Sequence, residues 1–516
     1  MTASNTSARG ATWGGRPRRA LRSRLTKFGA ALAVGIVIVP ALGAMPAAAA
    51  AYDPATDPYS MKSLTQITGV TRFWDQGFTG AGVDVAVIDT GVSPVEGLAT
   101  PGKIVYGPDL SFESQAPNLT RLDTNGHGTF MAGVIAGKDA ALTTPYKSAP
   151  ASVYRGIAPD ARIVAIKVAT ADGGVDVTQV IAAINWVVDH KTDNGMNIRI
   201  INLAYGTNSK QSATIDPLSF AAERAWKAGI VVVAAAGNSG YQTEQGLSNP
   251  AYNRFIIAVG GYDTKGTAAS CDDVLGLYSA GIADSTDRGP DFVAVGSRVQ
   301  GLRVPNSFVD ATHPEGLLGT RYFRGSGTSQ AAAVTSGVIA LILQKYPNLS
   351  PDQVKRFIVT NTLTKSGADP DYWGSGRINP TALVSKTPAA YTQIFASGTG
   401  LGLVELSRGT DRVTRDGVVL SGDIDIFGKP FLPGTAGSSW SGGTWSGSTW
   451  SGSTWSGSTW SGSTWSGSSW SGSTWSGSTW SGSTWSGSTW SGSTWSGSSW
   501  SGSSWSGSSW STGSWG

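Results

Sequence analysis

The sequence predicts an α/β protein built on a mainly parallel sheet that is covered by helices on both faces. Several apolar runs have the length of strands and lack the polar alternation of a half-exposed sheet, so each is expected to be buried on both faces. Helical stretches separate these runs, and such alternation of strand and helix is typical of parallel sheets. The predicted strands are 83–89, 161–168, 198–203, 230–236, 256–259 and 292–295.

The helices are predicted from their periodicity and from the signals at their ends. Residues 177–190 form an amphipathic helix, and residues 217–228 form a second one that Gly229 ends at its C-cap position. Residues 350–353 carry a capping box with proline at the first helical position, which begins a later helix. The compact unit is expected to close near residues 374–379.

Two of the predicted strands end in polar residues beside glycine. Asp89 ends the first strand, and Asn238 follows Gly237 after the strand 230–236. Ligands of open α/β sheets bind in the crevice at the carboxyl ends of the strands. Both residues are therefore candidates for a site, although the simpler interpretation of Asp89 is a turn residue before glycine.

His127 is the histidine with constrained surroundings. It lies between Gly126 and Gly128 and precedes an apolar helix of small residues, and the glycines allow the backbone to pack closely around the imidazole. The other two histidines have solvated settings: His190 lies among charged residues at a helix end, and His313 lies in a loop before proline.

Ser329 ends a small-residue loop and begins the Ala-rich run 331–342, which predicts a buried helix. A serine at that point presents its hydroxyl beside the free N–H groups of the first helical turn, which favour a developing anion. That is the setting of a nucleophile. The alternative is that Ser329 only caps the helix.

The first fifty residues predict a secretory signal peptide. A basic leader ending at Lys27 precedes an uncharged, partly apolar run and then small residues, and cleavage is expected near residues 49–51. The run is long enough for an uncleaved membrane anchor, but Pro40, Pro46 and the alanines argue against a stable membrane span.

The charge and cysteine content exclude several classes of protein. The net charge is +4 with 14% charged residues, and the basic excess is concentrated in the leader, so no nucleic-acid partner is predicted. Cys271 is the only cysteine, which excludes an internal disulfide and cysteine-based structural zinc sites. We expect it to be a small buried residue rather than a nucleophile.

Two segments of different composition follow the predicted α/β unit. Residues 387–435 predict a small β-rich appendage with strands near 404–406, 418–420 and 424–427. In the tail 436–516 a tryptophan recurs every five residues with Ser, Gly and Thr between, and no charged residue lies beyond Pro430. The repeat is either a flexible spacer or a segment whose aromatic faces contact the cell wall or a glycan.

The candidate residues together provide the roles of acyl transfer: Ser329 attacks, His127 moves the proton, Asp89 orients the imidazole, and the Asn238 amide faces the developing oxyanion. The motifs around them resemble those of the subtilisin-like serine proteases, or subtilases, in the same chain order. The matching stretches, which lie between about 57 and 382, are Val87–Val92, Asn125–Thr129, Tyr154–Pro159, Ala235–Asn238 and Gly327–Ser329.

This resemblance implies a subtilisin-like three-layer fold and a serine endopeptidase. It implies a substrate cleft lined by two three-residue segments, 204–206 and 235–237, where the substrate backbone pairs as an added strand. It also allows bound calcium, but no cofactor or metal ligand is identified in the sequence. The implied cleft residues are Ala204, Tyr205, Gly206, Ala235, Ala236 and Gly237.

Three departures from the family pattern concern the site or its maturation. Gln330 follows the serine where the family usually has methionine, and Tyr205 adds bulk that is expected to narrow the cleft. A full pro-domain is not expected, because only a few tens of residues separate the cleavage region from Asp89.

The sequence therefore predicts a secreted serine endopeptidase that acts on proteins or peptides, in the extracellular space or at the cell surface. The predicted segments of the chain are a signal peptide (1–50), a peptidase domain (51–386), the appendage (387–435) and the tail (436–516). The alternative is a cell-surface binding or adhesion protein whose functional part is the Trp repeat. An esterase is disfavoured, since no G-x-S-x-G elbow surrounds Ser329.

Overall fold

The computed structural model describes residues 52–431 except 115–118, 120, 241–245, 284–287 and 416–417, together with the backbone of short strands between 445 and 512. The predicted signal peptide lies outside the described residues. Within the part of the chain that is described, no helix is long and apolar enough to cross a membrane.

An eight-stranded sheet forms the centre of the fold, in the order β2-β3-β1-β4-β5-β6-β7, and β8 also pairs with β6. All neighbours are parallel except β6 and β7. Smaller sheets join β10-β11-β9 and β12-β13. The strands are β1 (Asp84–Asp89), β2 (Ile104–Asp109), β3 (Arg162–Lys167), β4 (Ile198–Leu203), β5 (Val231–Ala235), β6 (Ile257–Asp263), β7 (Val274–Leu275), β8 (Phe292–Val295), β9 (Val299–Leu302), β10 (Leu317–Leu318), β11 (Tyr322–Gly325), β12 (Thr414–Arg415) and β13 (Val418–Val419).

Helices cover the sheet, and the longest of them is buried along nearly its whole length because small and apolar residues surround its axis. The α-helices are α1 (Met61–Ile67), α2 (Thr71–Trp74), α3 (His127–Ala136), α4 (Val177–His190), α5 (Pro217–Lys227), α6 (Phe308–Thr312), α7 (Thr328–Lys345), α8 (Pro351–Val359), α9 (Pro370–Trp373), α10 (Pro380–Leu383) and α11 (Val404–Ser407). Short 3₁₀ turns span Tyr146–Ser148, Asp193–Gly195 and Pro314–Gly316.

The predicted parallel α/β architecture is confirmed. Strands β4 and β8 and helix α4 have the predicted bounds, and the capping box of α8 is formed by the side chains of Ser350 and Gln353. The prediction missed β2 and the sheet of β9, β10 and β11. These strands are short or only partly buried, so they lack the long apolar runs on which the prediction relied.

The segment 391–431, which we call the C-terminal strap, is mostly irregular rather than β-rich. The strand predicted at 404–406 is wrong, because α11 lies there and buries Val404 and Ser407, which are one helical turn apart. The predicted strand 424–427 is also wrong, since Ile424 makes only a single bridge, to Pro430. The strand predicted at 418–420 is confirmed as β13.

The described strands of the Trp repeat pair in parallel with an offset of twenty residues, so Trp455 lies opposite Trp475 and Trp465 opposite Trp485. This offset equals four pentapeptides, and each paired tryptophan therefore aligns with a tryptophan of the neighbouring strand. Their bounds are Trp445–Ser446, Thr449–Ser451, Trp455–Ser461, Thr464–Ser471, Thr474–Ser481, Thr484–Gly492, Thr494–Gly497, Trp500–Ser501 and Ser504–Thr512.

Cys271 is a free and exposed thiol, so the prediction that it is buried is wrong. It lies in the loop between β6 and β7, where the short edge strand β7 provides little cover. His190 stacks on Trp186 at the end of α4, and His313 is 57% exposed beside Glu315, in agreement with the solvated settings expected for both.

Candidate active site

Asp89 and His127 are in direct contact. Asp89 ends β1 at the carboxyl edge of the sheet, and His127 is the first residue of α3. His127 Nδ1 lies 2.8 Å from Asp89 Oδ1, and their side chains are 30% and 4% exposed, respectively. A carboxylate at this distance makes Nδ1 the donor, which leaves Nε2 as the acceptor that a general base needs.

The surroundings of His127 favour its charged form. Burial lowers the pKa of the imidazole, but the negative charges of Asp89 and Asp123 outweigh burial and hold that pKa above the ordinary value of 6.5. A histidine in this position therefore accepts a proton more readily than one in water, and the resulting imidazolium is stabilised by the carboxylate it contacts.

Asp123 organises this corner of the site, and the sequence analysis did not single it out. Its Oδ1 accepts hydrogen bonds from the Thr90 hydroxyl and the Gly126 N–H, both at 2.7 Å, and its Oδ2 accepts one from the Thr129 N–H at 2.7 Å. The carboxylate thus ties the end of β1 to the first turn of α3. Its place three residues before Gly126, the N-cap of α3, is the sequence signal from which Asp123 could have been predicted.

Ser329 is the second residue of α7 and is 8% exposed. Its hydroxyl donates to the backbone oxygen of Ala204 over a long 3.4 Å, and no bond to His127 is formed among the described contacts. The next residue, Gln330, and His127 line the same cavity, so the serine and the histidine belong to one site. Catalytic hydrogen bonds are often loose without substrate and tighten when it binds.

The amide of Asn238 has a fixed orientation. Its Oδ1 accepts hydrogen bonds from the Thr328 N–H at 2.9 Å and from the Thr328 hydroxyl at 3.0 Å. Because those donors identify the oxygen, Nδ2 is the group that faces away from Thr328. Among the described residues no acceptor binds this exposed Nδ2, so it is available to an oxyanion beside Ser329.

The triplet 204–206 and the triplet 235–237 differ in what their backbones offer. Tyr205 and Gly206 have no backbone hydrogen bond within the described contacts. Ala236 donates to Val259 and accepts from Ser248, and Gly237 likewise uses its N–H and its C=O within the domain. Within the described contacts, the N–H groups of Ala236 and Gly237 are therefore occupied, whereas those of Tyr205 and Gly206 are not.

A cavity of about 90 Å³ lies beside His127 and is lined mainly by apolar side chains and by Gln330. Gln330 is 7% exposed. The cavity also meets the ion pair of Arg303 and Asp310. The side chain of Gln330 thus borders the same cavity as His127.

Comparison with known proteins decides the family. The model of the Subtilase family matches residues 80–387, which is more than half of the chain and contains all the residues placed above. The chain belongs to the subtilase family. Subtilases are serine-type endopeptidases with the α/β fold seen here, and the predicted fold and enzyme class follow.

Similar proteins include serine protease AprX of Bacillus subtilis (strain 168), with 36% identity over 59% of this chain and 66% of AprX. Subtilisin DY of Bacillus licheniformis is 34% identical over 59% of this chain and 91% of that protein. The crystal structure of fervidolysin from Fervidobacterium pennivorans, described as a keratinolytic enzyme related to subtilisin, matches with a TM-score of 0.51 at 25% identity, over 65% of this chain and 48% of fervidolysin. This subtilase therefore spans about half of fervidolysin and just under two thirds of AprX.

Many subtilases bind calcium. Within the described part of this subtilase, no three side chains of His, Cys, Asp or Glu are placed to share a metal ion. The donor set of a calcium site is therefore not found among these side chains, and no step below depends on a metal.

Proposed function

We propose that this subtilase is a secreted serine endopeptidase in which Asp89, His127 and Ser329 form the catalytic triad and Asn238 contributes to the oxyanion hole. The observation that carries the proposal is the 2.8 Å contact of His127 and Asp89 beside a serine at a helix N-terminus. The fixed Asn238 amide supports the same reaction class.

In the proposed first step the Ser329 hydroxyl leaves the Ala204 carbonyl and donates to His127 Nε2. The oxygen attacks the scissile carbonyl while the proton passes to Nε2, and Asp89 stabilises the imidazolium. The charge that develops on the carbonyl oxygen is met by Asn238 Nδ2 and by the free N–H groups at the start of α7.

The second half of the reaction uses the same groups in reverse. His127 returns its proton to the leaving amine, which departs and leaves an acyl-enzyme on Ser329. A water molecule then gives a proton to His127 and attacks the ester, and His127 returns that proton to the Ser329 oxygen as the carboxylic acid product leaves. The substrate backbone is proposed to pair with Tyr205 and Gly206, whose polar groups are unbonded within the described contacts.

Replacing the nucleophile tests the proposal. Ser329→Ala is expected to abolish labelling by a fluorophosphonate and hydrolysis of a peptide anilide while the circular dichroism spectrum stays unchanged. The matched control is Ser326→Ala, which removes an exposed serine three residues earlier and should leave both activities intact. Wild-type turnover by the Ser329→Ala enzyme would overturn the assignment.

Export and the division of the chain are part of the same proposal. The basic leader and apolar run of residues 1–50 support removal of a signal peptide. The peptidase unit would begin near residue 51, and the Trp repeat would hold the enzyme at a cell wall or glycan surface. The aromatic residues and the lack of charge beyond Pro430 support that location.

A further inference from the structure

The C-terminal strap lies against the substrate side of the peptidase domain rather than apart from it. The polypeptide crosses α5 and reaches the residues that follow β4, which we call the cleft segment (204–207). The backbone oxygen of Ser407, in the strap, accepts a hydrogen bond from the Thr207 hydroxyl at 2.6 Å. The strap thus bonds directly to the segment whose carbonyl, at Ala204, meets the Ser329 hydroxyl.

Ser407 also joins this contact to two other elements. Its hydroxyl donates to Asp216 Oδ1 at 3.1 Å, and it accepts a hydrogen bond from Asn249 Nδ2 at 3.2 Å. Asp216 caps α5, and Asn249 pairs with Thr207 through both backbone groups. One fully buried serine of the strap therefore links the cleft segment to the start of a helix.

Arg408 is the second anchor, and its side chain is 0% exposed, as is that of Asp176. Arg408 Nε lies 2.6 Å from Asp176 Oδ2, and the guanidinium also donates to the backbone oxygens of Gly422 and Ile424. Asp176 is the N-cap of α4. A buried pair of this kind adds little net stability over apolar residues, but it fixes one geometry.

The strap continues along the far side of the cleft segment. Asn208 exchanges two hydrogen bonds with Thr410, each of 2.7 Å. A Cβ atom at Gly409, whose φ is +62°, would lie 2.2 Å from Asn208 Oδ1, so only glycine permits this approach. Burial and the charges of Asp176 and Asp411 raise the pKa of the Tyr205 hydroxyl well above its usual range.

We propose that Ser407 and Arg408 are positioning residues that hold the cleft segment in the geometry needed to bind an extended peptide. The strap is then part of the peptidase unit. Its effect is on substrate binding, since its described hydrogen bonds reach the cleft segment and none of the residues that move the proton. This inference rests on the proposed function for its substrate class, an unfolded peptide of several residues.

The test compares two substrates on full-length variants, with active sites counted by titration. The double variant Asp176→Asn/Arg408→Gln removes the charge pair, keeps the size of the Asp176 side chain and leaves a shorter polar side chain at position 408, and Asn still caps a helix. It is expected to raise KM for a tetrapeptide anilide by roughly ten- to a hundredfold while kcat/KM for a small activated ester changes less than about twofold. Thr207→Val, which removes only the bond to Ser407, should shift KM in the same direction even if the double variant fails to fold.

Ser397→Ala is the matched control, because Ser397 joins the strap to α5 by accepting a hydrogen bond from Lys227 at 2.6 Å and has no described bond to the cleft segment or to Arg408. An unchanged KM in the test variants, or an equal loss on peptide and ester, would overturn the inference. The dissociation constant of the tetrapeptide is also measured in the Ser329→Ala background. That dissociation constant tests the role of the strap even if the wild-type enzyme has no activity. An inactive wild-type enzyme would instead refute the proposed function.

Discussion

Replacing Asn238 by leucine separates transition-state stabilisation from substrate binding. Leucine has a similar size but no side-chain N–H, so the proposed oxyanion hole loses the Nδ2 donor, which no acceptor binds among the described residues. The loss of one such donor in subtilisin costs about 10²–10³ in kcat, or roughly 3–4 kcal/mol of transition-state stabilisation. We expect the same fall in kcat here with little change in KM, because the charge forms only in the transition state.

The structure adds a second effect that must be measured separately. Asn238 Oδ1 is also the acceptor for the N–H and hydroxyl of Thr328, which is 0% exposed. Leucine leaves these donors unpaired, and a buried unpaired donor costs about 1–3 kcal/mol of folding stability. Asn238→Leu is therefore expected to lower Tm as well, and its kcat must be expressed per titrated active site.

Thr328→Val is the matched control. It removes the hydroxyl that donates to Asn238 and accepts from the Gly237 N–H, and it keeps both the amide donor and the Thr328 N–H. Its loss in kcat should therefore stay within about tenfold. Peptide anilide kinetics and thermal unfolding of both variants give the comparison. A tenfold or larger rise in KM for Asn238→Leu with kcat preserved would refute the oxyanion role.

Two further predictions concern pH and the tail. Protonated His127 cannot accept the serine proton, so its raised pKa moves the acidic fall of kcat/KM to higher pH. We expect half-maximal activity above pH 6.5. A pH profile whose inflection lies well below that value would contradict the arrangement of charges around His127. Cutting the chain after Ala436 should leave kcat/KM for a short peptide unchanged, because the repeat holds no titratable side chain. The same truncation should release more enzyme from the cells into the medium. A folded but inactive truncated enzyme, or an unchanged partition between cells and medium, would contradict this role of the tail.

The strands and helices that carry the candidate residues could be predicted because their signals are local. Apolar runs place Asp89 and Asn238 at strand ends, and the capping box marks the start of α8. The structure of the strap was mispredicted because it depends on contacts with elements that are distant in sequence. Val404 and Ser407 are buried by α4 and α5, which are distant in sequence, and that burial selects a helical turn over the strand that the residues themselves suggest.

The sequence by itself determined the family, the order of the motifs and the residue types of the candidate site, since each is written in a short stretch such as 125–129 or 327–329. Only the tertiary structure decided which way the Asn238 amide points, that Ser329 donates to Ala204, that Asp123 bonds to the first turn of α3, and that Arg408 pairs with Asp176. The physical reason is that hydrogen bonds and charge pairs are selective in distance and direction. Arg408 and Asp176 lie 232 residues apart in the chain, and only folding brings their charges together in a place that excludes water.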